Sequence, residues 1–174
     1  MNVAIVTARA GSKSIRDKNV APVGGRPLVA YPIQAALDAE SIAQVFVSTD
    51  GHSIAQASRD LGCTVIERPD ELGGDTVNHG DVIQHAVRWV DERQPALENV
   101  VLLLGNTVMI DGALIDACLD ELDQDPALDS VMTVWEAADD HPLRAMEIVD
   151  GLLQPYGDPD RQVSTERQSY PTAY

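Results

Sequence analysis

The sequence predicts an α/β protein of three layers, with helices on both faces of a mostly parallel sheet. Three observations lead there. Short apolar runs, each the length of a buried strand, recur at residues 3–7, 43–48, 64–66, 99–104 and 129–135. Between most of these runs lie segments with helical apolar spacing rather than tight turns. Strands alternating with helices pair in parallel through right-handed crossovers. Size agrees: 174 residues hold one main domain, and 44% hydrophobic residues supply its core. With aromatics at 4%, that core is built from Val, Ile, Leu and Ala.

Val3-Ala4-Ile5-Val6 opens the first strand. Residues 8–26 are loop, punctuated by Gly11, Pro22, Gly24 and Gly25. Pro27 suits a first helical turn, and Leu28, Tyr31, Ala35 and Leu37 share a broad apolar face up to Ala39. Ala43–Ser48 is the second strand; after the Thr49-Asp50-Gly51 turn, Asp50 or His52 leads into a helix ending near Gly62. Thr64-Val65-Ile66 is the third strand and residues 67–78 are loop. A helix from His79 to Arg93 turns Val82, Ile83, Ala86 and Val90 inward. Asn99–Leu104, the most apolar strand, is expected at the centre of the sheet. Asp111 caps a helix through Leu122, and Asp129–Trp135 follows as a strand. There the alternation stops: residues 144–149 read as a strand, and 150–174 are rich in Pro, Gly and charge. The expected division is a main domain, 1–139, and an extension, 140–174.

Charge is distributed unevenly. The chain has 28 Asp+Glu against 12 Lys+Arg, a formal net charge of −16. Its two lysines, Lys13 and Lys18, lie with Arg9 and Arg16 in one loop, so a third of the basic side chains fall between residues 9 and 18. The overall acidity argues against nonspecific binding to nucleic acid or to an anionic membrane. The loop is a local positive funnel at the carboxyl end of the first strand, where an α/β protein holds a polyphosphate. Small residues let the backbone approach phosphate oxygens, and Arg9, Lys13 and Lys18 neutralise a triphosphate and then a leaving pyrophosphate. It is not a Walker A loop, because Gly11-Ser12-Lys13 has the wrong spacing, nor does it carry the Gly-x-Gly-x-x-Gly of an NAD site.

Other polar residues carry weaker signals. Asp50 either faces a ligand or caps the next helix. His79 and His85 are six apart, so they do not share a helical face and read as surface or packing residues. Trp89 and Trp135 read as core anchors. Asp120, Glu121, Asp123 and Asp125 read as a solvated helix end. Cys63 and Cys118 are isolated thiols outside any Cys-x-x-Cys pair, as expected of a reduced, cytoplasmic protein. The start of the chain carries no signal-peptide pattern, and no apolar run approaches the roughly 20 residues of a membrane helix.

Ala8-Arg9-Ala10-Gly11-Ser12-Lys13, then Lys18-Asn19, then Gly24-Gly25-Arg26-Pro27-Leu28 with Tyr31, resembles the opening of the CMP-sialic acid synthetases, the acylneuraminate cytidylyltransferases. Val47-Ser48-Thr49-Asp50 resembles that family's strand-end Ser-Thr-Asp. Arg68-Pro69 with Glu71-Leu72, then Asp75-Thr76 and Asp81-Val82, resembles its Arg-Pro-x-Glu-Leu and Asp-Thr segment. His141-Pro142-Leu143-Arg144 and Arg167-Gln168 with Pro171 resemble two later elements. The resemblance is collinear along essentially the whole chain. It implies a Rossmann-like nucleotidyltransferase fold and a reaction: CTP and an acidic nonulosonic sugar give the CMP-sugar and pyrophosphate. It implies nucleotide contacts from Ala8, Arg9, Gly11, Ser12, Lys13, Lys18, Asn19, Arg68 and Asp75, with Arg9 and Lys18 catalytic. Sugar contacts would come from Asn106, Thr107, His141, Arg144 and Gln168. It implies Mg²⁺ as cofactor, and a homodimer through the extension.

The sequence departs from that family twice. The family follows its central strand with Gln-Pro-Thr-Ser-Pro-Leu-Arg, whereas here Leu104 to Ile110 read Leu-Gly-Asn-Thr-Val-Met-Ile, with Leu104 and Ile110 in place of the Gln and Arg. The family's Asp-x-Asp, which binds Mg²⁺, has no counterpart among the 174 residues. Two further readings therefore stand beside the first: a catalytically silent nucleotide-binding homologue, and a cytidylyltransferase for the eight-carbon acid Kdo.

Overall fold

Apolar alternation in the first strand places it between two helical layers. Asn2–Thr7 forms β1, with Val3 to Thr7 buried. Val3 and Ile5 face one cluster with Phe46, Ile66, Ala86 and Val90. Ala4 and Val6 face the other, with Ile33, Ala36, Val45, Val47, Leu103, Ile115 and Leu119. Successive strand residues point to opposite faces, so this pattern demands cover on both sides. The computed structural model describes residues 1–12, 15–74, 77–137, 141–158, 160 and 171–173.

Ile42–Thr49 (β4), Thr64–Glu67 (β5) and Asn99–Leu104 (β6) complete a parallel sheet in the order β5-β4-β1-β6. Residues 4 to 7 of β1 pair with Val45 to Ser48 on one side and Val101 to Leu104 on the other. Between β1 and β4, Pro22–Val23 (β2) and Arg26–Pro27 (β3) make a small antiparallel hairpin. Ala30–Asp38 (α1), His52–Asp60 (α2) and Gly112–Gln124 (α4) cover one face, represented in the core by Ile33, Ile54 and Ile115. His79–Asp91 (α3) covers the other through Ala86 and Val90, and Trp89 meets Phe46 edge-on at 6.0 Å. Asp111 caps α4, its Oδ1 accepting from Leu114 N at 2.9 Å.

Five expectations are corrected. Pro27 lies in β3 opposite Pro22 rather than in a helical turn, because Gly24 and Gly25 adopt positive φ and close a hairpin. Leu37 is exposed; α1 instead buries Ala30, Pro32, Ile33, Ala35 and Ala36. β6 is an edge strand among the described residues, not the centre, and Leu102 and Leu104 are exposed on it. Asp129–Trp135 forms no strand, and Trp135 is 79% exposed rather than a core anchor. A strand is held by its ladder partners, and the described residues give this segment none.

The chain divides into two compact units, Met1–Val131 and Met132–Tyr174. In the second, Met146–Val149 (β7) and Leu152–Pro155 (β8) pair as an antiparallel hairpin. Asp150 and Gly151 turn it, both with positive φ. Among the described residues, no helix is long and apolar enough to cross a membrane.

Candidate functional site

All four strands of the main sheet are parallel, so their carboxyl ends share one edge. β1 is where the strand order turns back: β4 and β5 lie to one side and β6 to the other. Loops diverging from such a switch point leave a crevice. A cavity of about 360 Å³ opens there. Thr7 and Arg9 line it from the end of β1, and Leu104, Gly105 and Asn106 from the end of β6. Ser12, Lys18 and Asn19 enter from the first loop, Arg68 from the end of β5, and His79 from the start of α3.

The first loop is held by hydrogen bonds at several points. Ala8 N donates to Ser48 O at 3.0 Å, which sets the loop's exit from β1. Ala10 N donates to Asp50 Oδ1 at 2.8 Å. Asn19, 7% exposed, donates through Nδ2 to Arg9 O at 2.9 Å, so the two ends of the loop are tied across it. Gly11 takes φ +66°, a conformation that side chains disfavour. A 3₁₀ turn, Lys18–Val20, begins after Asp17 at φ 51° and brings Lys18 to the cavity. Gly105 is needed for a different reason. A Cβ there would lie 2.7 Å from Ala8 Cβ, so only glycine lets the end of β6 approach β1 this closely.

Arg68 is anchored rather than loose. Its Nε donates to Ser48 Oγ at 3.0 Å and its Nη2 to Ser48 O at 2.8 Å. Burial pulls its pKa down; Asp50 opposes that and Arg9 adds to it. A guanidinium stays protonated in a protein, so the cavity holds cations from two separate segments, Arg9 and Lys18 from the first loop and Arg68 from the end of β5. Such a lining matches a polyphosphate, and preorganised cations stabilise charge that shifts onto a leaving pyrophosphate.

The structure brings together Arg9, Ser12, Lys18, Asn19, Arg68 and Asn106. Gly11 shapes the loop, but Ala8 and Thr107 do not line the cavity; the Ala8 side chain is buried and its N–H is taken by Ser48. Asp50 neither caps α2, whose N-cap is Gly51, nor lines the cavity; it clamps the loop and faces Arg68. His141 belongs to the second unit and is 5% exposed. Its Nδ1 accepts from Leu143 N at 3.1 Å and its Nε2 lies 2.8 Å from Pro171 O, so both nitrogens serve that unit's own fold. Arg144 lies in the 3₁₀ turn that His141 caps. Lys13, Asp75 and Gln168 lie outside the described residues.

Sequence reasoning missed His79 and Thr7. His79, read there as a surface or packing residue, stands at the mouth of α3, with Nε2 3.0 Å from Thr7 Oγ1. The available signal was Asn78, whose side chain caps α3 by accepting from Gly80 N. It places the next residue on a helix start, and after β5 that start faces the sheet's carboxyl edge. For magnesium, the described residues fit poorly: no three of His, Cys, Asp and Glu gather to hold an ion, and the cavity lining is cationic.

Comparison with known proteins agrees with this geometry. The N-acylneuraminate cytidylyltransferase of Escherichia coli O18:K1:H7 is 38% identical over 85 residues, 49% of this chain and 20% of that protein. A Helicobacter pylori protein described as a pseudaminic acid cytidylyltransferase and UDP-2,4-diacetamido-2,4,6-trideoxy-β-L-altropyranose hydrolase is 23% identical over 173 residues, 99% of this chain and 32% of that one. The solved structure of CMP:2-keto-3-deoxy-manno-octonic acid synthetase with CTP superposes with a TM-score of 0.58 at 26% identity, covering 73% of this chain and 49% of that one. The chain thus spans from a fifth to about half of the lengths of these relatives. The family model described as cytidylyltransferase matches residues 3–152, and with a parallel Rossmann-like sheet beneath its cationic loop the chain belongs to the cytidylyltransferase family.

Proposed function

We propose that the cavity binds CTP and transfers its cytidylyl group to an acidic nonulosonic sugar of the sialic acid type. The sugar's anomeric hydroxyl attacks the α-phosphorus in line; the new O–P bond forms as the bond to the β-phosphate breaks, and pyrophosphate leaves. Such transfer needs positioning and charge neutralisation rather than a covalent intermediate. The observation that carries the proposal is the convergence of Arg9, Lys18 and Arg68 on one cavity in a protein of net charge −16. The sialic and pseudaminic acid cytidylyltransferases among its relatives support the sugar class. Kdo is the second reading, favoured by the Kdo synthetase among its structural neighbours.

Incubating the chain with CTP, magnesium and each sugar acid, with chromatographic detection of CMP-sugar and pyrophosphate, tests the proposal. Product with a nine-carbon acid supports it, and product with Kdo alone moves the substrate to the second reading. CTP binding without product from any acid leaves a nucleotide-binding homologue. CTP as substrate and two free thiols, Cys63 and Cys118, fit a cytoplasmic setting.

The same reading includes a homodimer through the second unit. β7 and β8 expose Ile148 at 76%, Leu152 at 73% and Leu153 at 66%. A two-stranded hairpin is marginal alone, and an apolar one needs a partner surface.

A further inference from the structure

We propose that Thr7 and His79 form the proton-accepting pair for the attacking hydroxyl; the inference rests on the transfer proposed above. Forming the new O–P bond releases a proton, and something in the cavity must take it. The cations Arg9, Lys18 and Arg68 already carry theirs. Ser12, Asn19 and Asn106 offer hydroxyl and amide groups, which cannot be the proton's final acceptor near neutral pH. No carboxylate is among the described lining residues. An imidazole is the one described lining group of a type that titrates in that range.

The geometry suits a relay. Thr7 is 7% exposed and fixed at the end of β1, its carbonyl accepting from Gly105 N at 2.9 Å. Its Oγ1 is 3.0 Å from His79 Nε2. His79 is itself exposed, so a proton gained there can pass on to water. In the step, the sugar hydroxyl gives its proton to Thr7 Oγ1 as its oxygen bonds to the α-phosphorus. Thr7 gives its own proton to Nε2, and pyrophosphate departs with the electron pair of the broken P–O bond. The imidazolium then returns its proton to solvent. The pair shares the cavity with Arg9, Lys18 and Arg68; Asp50 interacts electrostatically with Arg68, and Asp81 lies in the first turn of α3.

Single-turnover transfer between pH 6 and 9, with CTP affinity by calorimetry, tests the pair. His79→Gln is expected to slow transfer about 100-fold, to flatten the rise of rate with pH, and to leave CTP affinity within about threefold. Thr7→Val should behave alike, and Thr7→Ser should keep most of the rate. In the ¹⁵N spectrum of the CTP-loaded protein, His79 Nε2 should be an unprotonated acceptor. A wild-type rate and pH profile in His79→Gln overturns the proposal. So does CTP affinity falling in step with rate, which makes His79 a nucleotide ligand, and so does a protonated Nε2. A wild-type chain that binds CTP and transfers to no acid overturns the transfer reading and this inference with it, so the wild-type assay tells the two failures apart.

Discussion

Lys18 reaches the cavity from the first residue of a 3₁₀ turn, and nothing in its setting makes it a core residue. Lys18→Ala should therefore leave the melting temperature nearly unchanged. It should weaken CTP binding by about 2 kcal/mol, roughly thirtyfold, the size of a charge-assisted contact. Equal affinities in calorimetry would remove Lys18 from the nucleotide site. Arg68 differs because it is bonded twice to Ser48. Arg68→Ala should cost both CTP affinity and about 1–3 kcal/mol of stability in urea, since two buried acceptors lose a charged partner. Gly105→Ala should destabilise by about 1–3 kcal/mol, because its Cβ would meet Ala8 Cβ at 2.7 Å and neither backbone can yield easily. The cationic loop residues were legible in the sequence because charge contrast in an acidic chain is a one-dimensional signal. Thr7 with His79 was not, because the contact joins residues 72 positions apart across the sheet edge.

At the scale of elements, helices and buried strands were largely readable, and the errors share a cause. α3 and β1 declare themselves by spacing and alternation alone. The place of β6 at the edge depends on which strands find partners, and apolar composition cannot reveal that. The Asp116 carboxylate is likewise invisible in sequence, yet it ties α4 to the start of β4. It accepts from the Ser41 hydroxyl, from Ser41 N at 2.9 Å and from Glu40 N at 3.0 Å. The Ser41 hydroxyl, then the two backbone amides, hold its pKa below the ordinary aspartate value. A depressed folded pKa stabilises fully above the unfolded value of about 3.9, and that contribution fades as pH falls through the folded value. Asp116→Asn should flatten the loss of stability below about pH 4 in urea titrations at stepped pH; an unchanged acid limb would contradict this. Burial pushes the Cys63 thiol up to about 11. It should resist alkylation at pH 8 in the folded protein and react on unfolding, as mass spectrometry of labelled peptides would show.

The whole molecule couples an acidic body to one cationic cavity and carries a second, separately compact unit. The apolar hairpin of that unit predicts self-association. Sedimentation of the wild-type chain should show a dimer, and Leu152→Asp on β8 should shift it to monomer. A monomeric wild type would contradict the dimer. The family and the layered fold could be read from collinear motifs and periodicity, whereas in the second unit the strand at β7 could be read but its hairpin partner β8 could not, because a polar, broken sequence sets few constraints on packing. The most direct test of the central claim, that the cavity at the β1–β6 switch point is a CTP site, is calorimetric titration of the wild-type chain with CTP and with ATP, alongside Lys18→Ala. Micromolar CTP binding, at least about tenfold weaker for ATP and roughly thirtyfold weaker in the variant, is the predicted result. Absence of CTP binding, or binding that Lys18→Ala leaves untouched, would contradict it.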